Sequence, residues 1–372
     1  MSEPPVRPRA DVALMAGYHS PQVDVDVRLN TNESPEPPPQ SFTDELAAAV
    51  SDIDWHRYPD RDAMALRERI AAFHGVSPTQ VFCASGSNEV LQSVLLAYGG
   101  AGRSALVWEP TYALHSHLAR VVGTDVTVAE RGDDFVVGPD VAVADLARVA
   151  PDVAFVCSPN NPTGTVEPPS TLTAVSGWAA GNGTLVVVDE AYGQFSPSSG
   201  LDAVHEALPL VVTRTFSKTW SLAALRLGYL VGPEWVVDQL HKVALPYRLD
   251  AVQQAAGCLA LDHVAEMEGR VARVVAERAR VETSLRGVGC EVWESGANFV
   301  LFRPPPSDGN GGRSVDAVAA GDAVWQGLVD RSVLVRNCSS WPRLEGCLRV
   351  TIGTPEENDR FLEALAGVLG PT

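Results

Sequence analysis

From about residue 81 the chain alternates short, unbroken apolar runs with stretches patterned as helices. The runs cover residues 105–108, 153–157, 185–188, 210–213 and 229–231. None shows the one-in-two alternation of a strand with one wet face. Such runs predict strands buried on both faces, as in a parallel sheet wrapped by helices. Ahead of them, residues 42–50 and 63–73 place apolar side chains at helical spacing and predict two amphipathic helices. Residues 33–39 (ESPEPPP) form a proline-rich loop that no helix crosses. A long charged segment at 263–286 repeats apolar residues with helical period and predicts a helix leading into a smaller unit. Strands are expected there at 297–302, 333–335 and 347–352, with a surface insert at 304–313 (PPPSDGNGGR). The expected architecture is α/β, with an irregular arm over 1–28 and a large domain over 29–262 whose mostly parallel central sheet is wrapped by helices. A smaller α+β domain follows over 263–372, and the N-terminal segment packs with it.

A length of 372 residues exceeds what one hydrophobic core usually serves, which agrees with two domains. The formal net charge of −18 argues against nucleic acid and anionic membrane surfaces as partners, since both call for clustered Lys and Arg. No run of about eighteen apolar residues is present to span a bilayer. Residues 1–11, with their prolines and arginines, do not read as a signal peptide. The six cysteines (Cys83, Cys157, Cys258, Cys290, Cys338 and Cys347) are scattered, without a C-x-x-C pair. That pattern predicts neither a disulfide framework nor a zinc site and fits a reducing cytoplasm.

In open parallel sheets ligands bind beyond the carboxyl ends of the strands, so the residues after each apolar run carry the most information. After 210–213 comes a segment ending in TFSK at Lys218. A lysine at a strand end among apolar neighbours has its pKa lowered by desolvation, as Schiff-base chemistry requires. Alone it reads as a surface lysine. Ser217 beside it and Arg226 eight residues on change the balance, because they offer a hydroxyl and a cation to a phosphate on the same ligand. The run at 185–188 leads into Asp189, followed by Glu190, Ala191 and Tyr192. A carboxylate ending a buried strand needs a cationic partner. A protonated ring nitrogen is one such partner; a salt bridge is another, and a helix cap is a third ordinary role. Tyr192 could then reach a phenolic oxygen on that ring. SPNNPTG follows 153–157, and its two prolines and glycine fix a turn that presents the Asn161 amide. Ser85, Gly86, Ser87, Asn88 and Glu89 open a helix whose free N–H groups make an anion site, or whose serines merely cap it. Tyr112, after 105–108, offers a flat ring for stacking or for the core.

Two signals carry little. GAGRSA at 100–105 matches a dinucleotide fingerprint in its letters, but it follows a helix and precedes a strand, the reverse of the required order. His115 and His117 suggest a metal pair, yet no ligand cluster accompanies them. The expectation is a half-exposed helical pair and no metal.

SPNNPTG, VDEAY and TFSK with its following arginine stand in the order and approximate spacing of the fold type I aminotransferases, and the match runs from roughly residue 28 to 360. Within that superfamily the chain most resembles the histidinol-phosphate aminotransferases, on LNTNESP at 29–35, HRYPD at 56–60, LPY at 245–247 and GCLRVTIGT at 346–354. The family usually has Asn-Glu-Asn-Pro where Asn32, Glu33, Ser34 and Pro35 stand. The resemblance implies the fold type I architecture and a pyridoxal 5'-phosphate enzyme transferring an amino group between histidinol phosphate and 2-oxoglutarate or glutamate. By it, Lys218 is the Schiff-base lysine and proton carrier, Asp189 pairs the ring nitrogen, Asn161 and Tyr192 bond the phenolic oxygen, and Tyr112 stacks on the ring. The phosphate rests on the Ser87 and Asn88 amides, Ser217 and Arg226, while Tyr58 arrives from the other subunit of a homodimer. Arg349 holds the substrate's anionic group, and Tyr18, Asn32, Tyr247 and Arg336 complete the substrate pocket. Two further readings keep the scaffold: an aromatic amino acid aminotransferase, and a decarboxylase resembling threonine-phosphate decarboxylase. A cofactor-sensing regulator would need a basic helix-turn-helix ahead of residue 28, where no room is seen for one.

Overall fold

The computed structural model describes residues 6–13, 15, 17, 23–305 and 316–370. Tyr18 and most of the 304–313 insert lie outside them. A short strand β1 (Val27–Leu29) stands apart from the seven that follow: β2 (Val81–Ala84), β3 (Ser104–Glu109), β4 (Asp125–Glu130), β5 (Val153–Cys157), β6 (Leu185–Asp189), β7 (Leu210–Thr215) and β8 (Gly228–Val231). Those seven form one sheet in the order β2-β8-β7-β6-β5-β3-β4.

The predicted runs are buried on both faces. Along β5, β6 and β7 alternate side chains enter two different cores. Val153, Phe155, Val187 and Val211 pack under the helix Ser87–Tyr98 and the helix Glu234–Val243. Ala154, Val156, Val186, Val188 and Val212 pack under the helices Pro139–Val149 and Pro169–Asn182. With an apolar core on either side, neither set can be polar, which is why the pattern is continuous. Each fully buried Val or Leu contributes about 2 kcal/mol relative to exposure. β4, at the sheet edge, mixes polar with apolar residues and buries only Ala129, so no unbroken apolar run marks it.

Four pairings, β3 with β4, β3 with β5, β5 with β6 and β6 with β7, are parallel. β8 runs antiparallel to both β7 and β2. The run at 229–231 therefore revealed burial but not direction. Only residues 216–227, with no α-helix among them, connect β7 to β8, so the chain turns back instead of crossing over. Because β2 opposes β8 and β8 opposes β7, β2 points the same way as β7. The carboxyl ends of β2, β3, β5, β6 and β7 thus share one edge.

A second sheet joins β1 to four later strands, β9 (Glu291–Val292), β10 (Phe299–Arg303), β11 (Val333–Asn337) and β12 (Leu348–Thr351), in the order β1-β11-β12-β10-β9. Residues 27–28, read from the sequence as part of an irregular arm, are strand paired in parallel with Val333 and Leu334. Phe299, Phe302, Val350 and Val335 pack with Val281 and Leu285 of the helix Val264–Gly287 and Phe361 of the helix Pro355–Leu369. The last helix begins with a reciprocal cap between Thr354 and Glu357 and Pro355 in its first turn, a start written in the sequence. Among the described residues no helix is long and apolar enough to cross a membrane.

Candidate active site

A cavity of about 240 Å³ opens at the shared edge of the larger sheet. Twelve of the fifteen residues singled out from the sequence line it: Asn32, Ser87, Asn88, Tyr112, Asn161, Asp189, Tyr192, Ser217, Lys218, Arg226, Arg336 and Arg349. Tyr18 lies outside the described residues. Tyr58 and Tyr247 are not brought into the cavity of this chain. They stack on each other with ring centroids 4.4 Å apart, and they are 80% and 41% exposed. The expectation that Tyr247 helps to wall the pocket is not met within one chain, because its ring turns to Tyr58 at the surface.

Each strand end delivers its group. Beyond β7, the Lys218 Nζ donates to the Thr31 carbonyl at 3.2 Å and lies 5.7 Å from the centre of the Tyr192 ring. Its pKa falls to about 8, first through desolvation, then through the Arg349 and Arg226 charges, with Glu33 opposing. At the end of β6 the Asp189 carboxylate accepts from the Ala191 N–H at 3.0 Å on one oxygen and meets His115 Nε2 at 2.8 Å on the other. A carboxylate only accepts, so the imidazole donates from Nε2.

His115 overturns an expectation. It is fully buried, stacked on Phe155 at 4.9 Å, and it backs Asp189; only His117 is half-buried. Two residues apart on the helix Leu114–Val121, the two histidines face different directions. That spacing was the signal available in the sequence, since one of the pair had to face the sheet.

The Asn161 amide is oriented by its neighbour. Arg349 donates to Asn161 Oδ1 and also to the Asn30 carbonyl at 2.9 Å. With Oδ1 so engaged, the Asn161 Nδ2 is left to donate. The Tyr192 hydroxyl receives Asn32 Nδ2 at 2.9 Å, and burial pushes its pKa up to about 12, so it keeps its proton and can donate it. Asn32 adopts a left-handed φ of 56°, which asparagine tolerates better than most residues. Its N–H and Oδ1 are both held by the Thr351 hydroxyl.

At the other end of the cavity the helix Ser87–Tyr98 starts directly beyond β2. The N–H groups of its first turn have no carbonyl one turn earlier and form an anion-binding end. Arg226 lies beside it and donates to Ser217 Oγ at 3.2 Å. Two glycines permit this crowding. A Cβ on Gly228, the first residue of β8, would sit 2.3 Å from the Ser87 nitrogen, and one on Gly86 would sit 2.8 Å from an Arg226 guanidinium nitrogen. Tyr112 donates to Asn88 Oδ1 at 3.2 Å, which fixes its ring at the cavity wall.

Sequence reading missed Asn30, Thr31 and Trp341, which also line the cavity. They come from the second sheet, whose approach to the first is not written in either segment. Arg336 and Arg349 are register partners on β11 and β12, so their side chains leave the same face of that sheet. Trp341 sits on the turn between those strands, with the Arg336 guanidinium 6.0 Å from its ring centre.

The set fits pyridoxal phosphate. The glycine-floored anion end suits its phosphate, Asp189 suits its ring nitrogen, Asn161 and Tyr192 offer two donors to its phenolic oxygen, and Lys218 supplies the amine.

Comparison with known proteins agrees with this geometry. The family model for aminotransferase class I and II matches residues 24–365. The histidinol-phosphate aminotransferase of Frankia casuarinae is 43% identical over 368 residues, covering 95% of this chain and 88% of that one. The histidinol-phosphate aminotransferase of Streptomyces avermitilis is 44% identical over 358 residues, covering 94% and 92%. Among solved structures, the Sinorhizobium meliloti histidinol-phosphate aminotransferase, determined in complex with pyridoxal-5'-phosphate, superposes with a TM-score of 0.84 at 20% identity over 98% of this chain and 97% of that one. The chain belongs to the class I and II aminotransferase family.

Proposed function

We propose that the protein is a pyridoxal-phosphate-dependent histidinol-phosphate aminotransferase, moving an amino group between histidinol phosphate and 2-oxoglutarate or glutamate in histidine biosynthesis. One juxtaposition carries the reading: Lys218 and Asp189 share a cavity with Arg336 and Arg349, paired across β11 and β12. When bound, pyridoxal phosphate supplies the carbonyl that accepts the amino group and the conjugated ring that draws electrons from the substrate's reacting carbon. Lys218, with its pKa at about 8, has a substantial neutral fraction near neutral pH, so its Nζ can hold the cofactor and then carry the proton to and from that carbon. Asp189, braced by His115 and the Ala191 N–H, holds a proton on the ring nitrogen. Asn161 and Tyr192 donate to the phenolic oxygen, and Tyr112 covers the ring. The Ser87 and Asn88 amides, Ser217 and Arg226 take the phosphate.

The substrate end must accept a phosphate in one half-reaction and a carboxylate in the other. A guanidinium fork suits both. Two of them on adjacent strands suit a dianion, and the unpartnered buried Nε of Arg349 leaves a donor for it. Asn32 completes this end, and Tyr18 is assigned here by its likeness to the family alone.

The exposed Tyr58 and Tyr247 pair, with Trp55 and Leu245 also exposed, supports a homodimer in which Tyr58 reaches the partner's cofactor phosphate and Tyr247 its substrate. The same reading divides the chain near residue 262 into a large and a small domain and, with six unpaired cysteines, places it in the cytoplasm. The test is a comparison of kcat/KM for histidinol phosphate, phenylalanine and tyrosine, each with 2-oxoglutarate. Histidinol phosphate should be preferred. If phenylalanine or tyrosine is the better substrate, the assigned pathway is wrong while the fold and cofactor stand.

A further inference from the structure

The turn between β11 and β12 is built more firmly than a connection needs. Cys338 N–H donates to the Cys347 carbonyl at 3.0 Å, Trp341 N–H to the Cys338 carbonyl at 2.9 Å, and Leu344 N–H to the Trp341 carbonyl at 3.1 Å. Beneath it Cys338, Leu344 and Cys347 pack with Phe135 and Leu301. Arg343, at a left-handed φ of 64°, ties the turn to the loop after β4, donating to the Arg131 and Gly132 carbonyls and pairing with Asp133. The residue this frame presents to the cavity is Trp341, and the Arg336 guanidinium faces its ring.

We propose that Trp341 is a specificity-determining positioning residue: its indole holds Arg336 toward the cavity beside Arg349, so that the pair meets a phosphate monoester rather than a lone carboxylate. The inference rests on the functional reading above. Two like charges leaving one face of adjacent strands repel, and the indole beside Arg336 favours the side-chain conformation that keeps its guanidinium at the cavity against that repulsion. Indole is the ring that attracts a cation most strongly. Arg349 is fixed independently by Asn161 and Asn30, so it takes a carboxylate without help from Trp341. A phosphate dianion, with more oxygens and more charge, recruits both arginines.

The experiment measures the two half-reactions separately, with histidinol phosphate and with glutamate, on the cofactor-loaded protein. For Trp341→Ala the ratio of kcat/KM for histidinol phosphate to that for glutamate should fall about tenfold, chiefly through KM. Trp341→Phe, which still offers a ring face, should recover most of that ratio. In an Arg336→Ala background, Trp341→Ala should add less than about twofold, because both changes remove one arrangement. An unchanged ratio in Trp341→Ala, a parallel fall of both half-reactions, or full additivity with Arg336→Ala would overturn the proposal. A wild-type protein that reacts with glutamate but not at all with histidinol phosphate would overturn the functional reading, and this inference with it.

Discussion

The lowered pKa of Lys218 can be measured directly on protein stripped of cofactor. At pH 7 a lysine titrating at about 8 is neutral in about one molecule in ten, whereas one at the ordinary 10.5 is neutral in about one in three thousand. The difference is about 300-fold in the species able to attack a carbonyl. Capture of pyridoxal phosphate, followed by absorbance in a stopped-flow instrument, should therefore speed up about fivefold from pH 7 to pH 8 and about twofold more before it levels off. The phosphate is already largely doubly ionised above about pH 7, so the curve from there upward reports the amine. Arg349→Met removes the second cause of the depression and should move the midpoint upward; Glu33→Gln removes the opposing charge and should move it down. Borohydride reduction and peptide mapping at the plateau should place the cofactor on the peptide containing Lys218. A rate still climbing tenfold per unit beyond about pH 9.5, or a midpoint that falls in Arg349→Met, would refute the assigned environment.

Three further outcomes follow from the geometry. His115→Phe keeps the stack on Phe155 but removes the proton donor to Asp189, and loss of one charge-assisted hydrogen bond of about 2 kcal/mol should lower kcat up to about thirtyfold and also reduce the stability of the cofactor-free protein; near-normal kcat would make His115 a packing residue only. Gly228→Ala drives a methyl into the backbone at Ser87, so equilibrium dialysis should show weaker binding of pyridoxal phosphate but a smaller effect on pyridoxal, which lacks the phosphate; equal losses for both would mean that the whole cavity had moved. Mixing Tyr58→Phe with Lys218→Ala subunits should restore activity in hybrid dimers, which contain one site with neither defect, and proven subunit exchange without recovery would rule out a shared site.

Much of the site was legible because its groups sit at successive strand ends. Parallel strands deliver their carboxyl ends to one edge whatever their order, so SPNNPTG, VDEAY and TFSK needed no knowledge of the sheet sequence to be placed together. The same logic reached Ser87 only because β2 points the same way as β7, and it gave no warning that β8 runs the other way. What stayed hidden depends on side-chain facing and on the second sheet. His115 lies on a helix whose inward face is set by packing on Phe155. Trp341 looks in sequence like any turn aromatic, and its place at the cavity follows from Arg336 and Arg349 being opposite one another. Tyr58 and Tyr247 share a surface pair, an arrangement that two segments so far apart in the chain do not announce.

Thr31 and Asn32 touch Lys218 and Tyr192 from a segment that continues out of β1. That strand is held by β11, and 319 residues separate Asn30 from the Arg349 that anchors it. The larger sheet has all its strands by β8, while Gln253 on the helix Ala251–Ala260 holds the Arg226 carbonyl from behind, and that helix packs on β2 and β8. The phosphate cradle is thus encoded in the middle of the chain, and the wall that faces it is encoded at the two ends, in β1 and in β11 and β12. A change of substrate can therefore be written into the chain's ends while the grip on the cofactor phosphate is left as it is.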